Sequence, residues 1–175
     1  MKKSIYISTN GIEKLEEIVR ERKRILTGQK MTTFLNKMAE IGADSARVSF
    51  KSAAYAGEND VEVSVSRRGN GTVAVVATGN ATLFIEFGTG VTFPDNHPSK
   101  PAGISGRGEY GKGNGKKSAW GYYGNPGNIG HVLKKGKNDQ PDLVITHGNP
   151  ANACMYDAEK EVESRIYDIA KEVFG

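Results

Sequence analysis

The stretch that decides the fold reads VEVSVSRRGNGTVAVVATGNATLFIEF, residues 61–87. Val61, Val63 and Val65 alternate with Glu62, Ser64 and Ser66, the period-two pattern of a strand with one face toward a core and the other toward water. Arg67 to Gly71 reads as a glycine-containing hairpin turn, and Thr72 to Ala77 as a second strand rich in β-branched residues. After a tight turn at Thr78-Gly79-Asn80, Ala81 to Phe87 predicts a third strand with Leu83, Ile85 and Phe87 on one face. Three strands joined this closely predict an antiparallel meander covering residues 60–88.

Helical periodicity takes over on both sides. Upstream, Asn10 and Glu13 have capping-box spacing, while Ile12, Leu15, Val19, Arg22 and Leu26 recur on one face, so a helix is predicted from Gly11 to Thr27. Its early acids (Glu13, Glu16, Glu17) and late bases (Arg20, Arg22, Lys23, Arg24) complement the helix dipole, and Gly28 offers a stop. Met31, Phe34, Leu35, Met38, Ile41 and Gly42 continue the spacing to about Ala46. The helical region thus covers 9–47, as a hairpin or as one bent helix.

Downstream, Asn149 and Pro150 suit the start of a last helix over 149–174, whose apolar stripe is Met155, Ala158, Val162, Ile166, Ile169 and Val173. Asp142 to Thr146 predicts one further short strand. The expected plan is α+β in a single domain, 1–175: an antiparallel β-meander packed against N-terminal helices and a C-terminal amphipathic helix, with a long Gly-rich loop.

That loop, 88–137, holds thirteen of the 22 glycines up to Gly136 and four of the six prolines. It carries eight of the Lys and Arg residues against Asp95 and Glu109, a net +6 that leaves −2 for the rest of a chain whose total is +4. A long loop is uncommon in a compact domain unless it works or folds against something. Its charge fits a polyanion or an acidic protein surface, or a lysine-rich face solvated for solubility. Lys112, Lys116 and Lys117 are the candidates for electrostatic contact, and Trp120, Tyr122 and Tyr123 for contact with a subunit or partner. Those aromatics also suit stacking on bases, although no nucleic-acid recognition module is present.

One cysteine, Cys154, excludes an internal disulfide and fits a reducing cytoplasm. The basic start Met1 to Ser4 is followed only by Ile5 to Ile7, too short for a signal core or a membrane span. His97, His131 and His147 show no metal-ligand spacing, so no metal is expected. Glu86 at the end of its strand is either a general base or a structural carboxylate receiving backbone N–H groups. Cys154 lacks a base partner and reads as a small core residue. Gly111-Lys112-Gly113-Asn114-Gly115-Lys116 lacks the spacing and the following Ser or Thr of a phosphate loop. No catalytic residue and no cofactor is expected, and the chain is not expected to be an enzyme.

The run Ala81 to Gly90, ending Glu86-Phe87-Gly88-Thr89-Gly90, resembles a segment of the head-to-tail joining and tail-completion proteins of long-tailed bacteriophages and prophages: neck, minor tail or minor capsid subunits. In that family an aliphatic strand ends in Glu-Phe-Gly-Thr and opens a Gly/Pro-rich loop with a tryptophan. The chain then returns before a Pro-Ala motif and an amphipathic helix. Glu86, Phe87, Gly88 and Thr89, then Trp120, then Pro150 and Ala151 match that order, within residues 30 to 175. The resemblance implies a structural virion protein that forms a ring with copies of itself, a hexamer being one option. It implies neck, tail-terminator and tail-tube proteins as neighbours, passing DNA as a non-specific contact, and no membrane. Its place would be the virion neck or tail, after assembly in the host cytoplasm. The alternative is a metal-dependent nucleic-acid-processing enzyme or nucleic-acid-binding protein, with Glu86 and His147 as its site and the basic loop as its clamp.

Overall fold

The structure, a computed structural model, describes residues 9–69, 71–89, 98 and 119–175. Helix α1 spans Thr9–Thr27 and α2 spans Gln29–Ser52. The two meet at Gly28, whose extended backbone breaks the helix for one residue. They are two helices in series with a bend, not a hairpin. The second runs to Ser52, past the expected Ala46.

Strands β1 (Glu62–Arg68) and β2 (Thr72–Thr78) form an antiparallel hairpin with Val65 opposite Val75. The expected third strand is absent: Thr82–Phe87 is a short helix, α3. Six apolar-rich residues fit either period, and two features favour the helix. The Asp60 carboxylate receives the backbone N–H groups of Asn80 and Ala81 at 2.8 and 2.9 Å, satisfying donors at the start of the turn. Ile85 and Glu86, neighbours in sequence, are both buried while Leu83 is exposed, which a strand's alternation would not allow.

The segment expected as a long loop in two parts, interrupted by the β-favouring aromatics Trp120, Tyr122 and Tyr123, contains strands β3 (Trp120–Tyr123) and β4 (His131–Lys134). Both pair antiparallel with β5 (Leu143–Thr146), giving the order β3-β5-β4, with Val144 of the central strand fully buried. The last helix, α4, begins at Cys154 rather than at Pro150, and no side chain of its own lead-in caps it.

The core sits around α2. Phe34 of α2 meets Phe174 of α4 with ring centroids 5.5 Å apart, Lys37 pairs with Glu172, and Phe50 shares a buried cluster with Cys154 and Ala158. Partners descend along α4 as they ascend along α2, so the two helices run antiparallel. Ala39, Gly42, Ala43 and Ala46 keep the buried face of α2 shallow. A Cβ on Gly42 would stand 3.0 Å from Val162 of α4 and 3.3 Å from Val75 of β2, so glycine lets α2 approach the helix and the hairpin together. The stripe of α4 is correct in outline but rotated: Ile169 is 5 % exposed, whereas Ile166 is 47 % exposed and lies at the margin.

The described part is therefore α+β, as expected. No helix in it is long and apolar enough to cross a membrane.

Candidate functional site

The end of α3 and the start of α4 satisfy each other's backbone. A helix leaves its last carbonyls and first N–H groups without internal partners. Here the carbonyl of Ile85 accepts from the N–H of Asn152 at 2.8 Å, and that of Glu86 accepts from Ala153 at 3.1 Å. The Glu86 carboxylate, itself buried, then receives the N–H groups of Met155 and Tyr156 at 2.8 and 3.2 Å. Glu86 thus caps α4 from another element and places negative charge at the positive end of the helix dipole. Of the two readings of Glu86, these hydrogen bonds match the structural carboxylate.

The next three family-motif residues follow the same geometry. Phe87 ends α3 and is half-buried. Gly88 adopts φ +74, and a Cβ there would stand 2.7 Å from the backbone nitrogen of Ala151, so only glycine fits. Thr89 forms an antiparallel bridge with Asn149, donating its N–H at 2.8 Å and accepting at 3.2 Å. Pro150 and Ala151 lie directly against Gly88. Motif pieces some sixty residues apart in the chain are one hydrogen-bonded unit.

Three asparagines complete this unit, of which only Asn149 stood out in the sequence. Asn149, expected to cap α4, instead accepts the N–H of Ala56 through its Oδ1 at 2.7 Å. Asn152 accepts from the Ala54 N–H at 2.9 Å and donates its Nδ2 to the carbonyls of Ala54, Ile85 and Pro150. Asn128 accepts from Tyr55 N–H and donates to the Ala53 carbonyl. The segment 53–56 is thereby held by three side-chain amides, of which Asn128 and Asn152 present both a donor and an acceptor as a neighbouring strand would. Ala153, between the unit and α4, takes a left-handed conformation at φ 51 that non-glycine residues adopt only when their surroundings impose it.

Cys154 is buried at the first turn of α4. Burial, then the Glu86 and Asp157 carboxylates, pushes its thiol up to about 12, the reverse of what an activated nucleophile needs. His147 and His131 are exposed, and His97 lies outside the described residues. Among the described residues no group of three or more His, Cys, Asp or Glu could hold a metal ion. An open depression of about 410 Å³ between α2 and β1 is lined by Arg47, Phe50, Lys51, Asn59, Val61 and Val63, none of them a predicted site residue.

The predicted contact residues divide. Trp120 pairs opposite Thr146 on β3, half-buried. The Tyr122 hydroxyl donates to the Asn125 carbonyl at 2.7 Å, and burial raises its phenol above the ordinary value. Tyr123 is exposed. Lys112, Lys116 and Lys117 lie outside the described residues.

Compared with protein-family models, with curated proteins and with solved structures, the chain finds no match.

Proposed function

We propose that this chain is a structural virion subunit of a tailed phage or prophage, joining head and tail or completing the tail as a ring-forming neck component. One observation supports the reading above others. The short motifs that carry the resemblance, Glu86 to Thr89 and Pro150-Ala151, are weak singly, yet they meet in one unit built on contacts to backbone groups. Such a unit holds a frame rather than performing chemistry. It holds Thr89 on one flank of the segment 90–118, and the pairing of Trp120 with Thr146 holds the other flank. A ring subunit would use that basic, glycine-rich segment to meet its neighbours, acidic neck proteins or passing DNA, together with Trp120, Tyr122 and Tyr123.

Complementation tests the reading. A phage or prophage lacking the gene should accumulate separate heads and tails, and the chain supplied in trans should restore joined particles under the electron microscope. Joined, infectious particles formed without the chain would refute it. Metal-dependent cleavage of DNA or RNA by the purified protein, lost in Glu86→Ala without loss of folding, would move the assignment to the enzyme alternative.

A further inference from the structure

Helix α1 stands apart from the core. Every side chain from Glu13 to Arg24 is exposed, including large apolar ones: Leu15 is 60 %, Ile18 50 % and Val19 62 % exposed. At 100° per residue these three fall within an arc of about 100°, one helix face. An amphipathic helix with no core to cover is stable in water chiefly when its apolar face packs on something.

Charge selects the occupant. In Thr9 to Ile18, Glu13, Glu16 and Glu17 outweigh Lys14, for a net −2, whereas in Val19 to Thr27, Arg20, Arg22, Lys23 and Arg24 outweigh Glu21, for a net +3. A parallel partner of the same sequence sets like charge against like along the whole length. An antiparallel copy sets −2 against +3 at both ends, with Ile18 near the centre, and opposes the two helix dipoles favourably. We propose that α1 docks antiparallel on the α1 of a second copy of this chain, burying Leu15, Ile18 and Val19. The pairing is two-fold and closed, so by itself it yields a dimer and not a ring. It rests on the geometry and charge of α1 and not on the neck reading. At 1.5 Å per residue the helix is roughly 28 Å long, which places the contact at the small end of specific interfaces and makes the dimer concentration-dependent.

Sedimentation of the purified chain from micromolar to millimolar concentration should show the mass rising from 18.9 kDa toward twice that value. Leu15→Glu with Val19→Glu should keep the mass at the monomer value throughout. So should Glu13→Lys/Glu16→Lys/Glu17→Lys, which makes both halves of α1 basic. Neither set should move the melting temperature of the body, because all five side chains are exposed. Cys154 is buried, so an added cysteine reports orientation: Ile18→Cys should crosslink two copies on mild oxidation, and Glu13→Cys should not. A chain that stays monomeric across the range overturns the proposal. A dimer that survives either set of substitutions, or that crosslinks through Glu13→Cys as readily as through Ile18→Cys, overturns it too.

Discussion

Glu86 illustrates how one buried carboxylate can decide where a helix starts. Without it, the part-buried N–H groups of Met155 and Tyr156 would lose the carboxylate oxygens they reach at 2.8 and 3.2 Å. Leaving a buried donor unsatisfied costs about 1–3 kcal/mol, so Glu86→Ala should lower the unfolding free energy by that order. Glu86→Gln keeps one acceptor oxygen and loses the charge at the helix terminus, and should lose about half as much. Urea titration measures both, and an unchanged midpoint for Glu86→Ala would remove the capping role. Asp60 makes a different prediction, because three hydrogen bonds from Asn80 and Ala81 stabilise its charged form. The N–H of Ala81 first, then that of Asn80, hold its carboxyl below the ordinary value of 3.8. The native carboxyl therefore takes up its proton later than the unfolded one as the solution is acidified. Its stabilisation is fully present above the ordinary value and is lost as pH falls through the lower native one. Asp60→Asn should flatten the dependence of the melting temperature on pH in that window, and a profile that keeps its slope would contradict this.

Elements whose length and periodicity were both ample, α2, α4 and the β1–β2 hairpin, were legible in the sequence to within a few residues. Those decided by partners elsewhere in the chain were not. The run 82–87 holds Leu83, Ile85 and Phe87 at strand spacing, and the Asp60 carboxylate that favours the helix lies more than twenty residues away. Strands β3 and β4 have four residues each among glycines, too short for a period to emerge. The site was half visible: Glu86 to Thr89 stood out and Asn149 read as a helix cap, but Asn128 and Asn152 look like turn residues in a Gly/Pro-rich context until the segment 53–56 is placed against them. For α4 the sequence identifies a stripe but not its centre, since Ile166 and Ile169 lie within one turn of each other. Ile169→Ala should therefore cost about 2–5 kcal/mol as a buried deletion, and Ile166→Ala far less. Equal losses in thermal unfolding would place Ile166 in the core after all.

At the scale of the whole molecule, the two residues that flank the segment 90–118 are anchored on one short stretch of chain. Thr89 is bridged to Asn149 and Trp120 is paired with Thr146, and those two anchors are three residues apart in the chain. The anchors are held by β5, by the Asn149 side chain on Ala56 and by the Glu86 cap, contacts made between residues outside 90–118. The entropy of closing a loop changes only slowly with its length, each doubling costing about 0.6 kcal/mol. Removing Gly103 to Gly115 should consequently shift the unfolding free energy by less than about 1 kcal/mol, because the closure becomes shorter while every anchoring contact stays. If the neck reading holds, the same deletion should sharply reduce joined particles in complementation, and Lys112→Glu/Lys116→Glu/Lys117→Glu should weaken a salt-sensitive contact without changing the melting temperature. Folding and assembly would then separate in one pair of variants. A deletion that unfolds the chain would mean that residues 103–115 belong to the core, and full infectivity from both variants would strip the segment 90–118 and its basic charge of any part in joining.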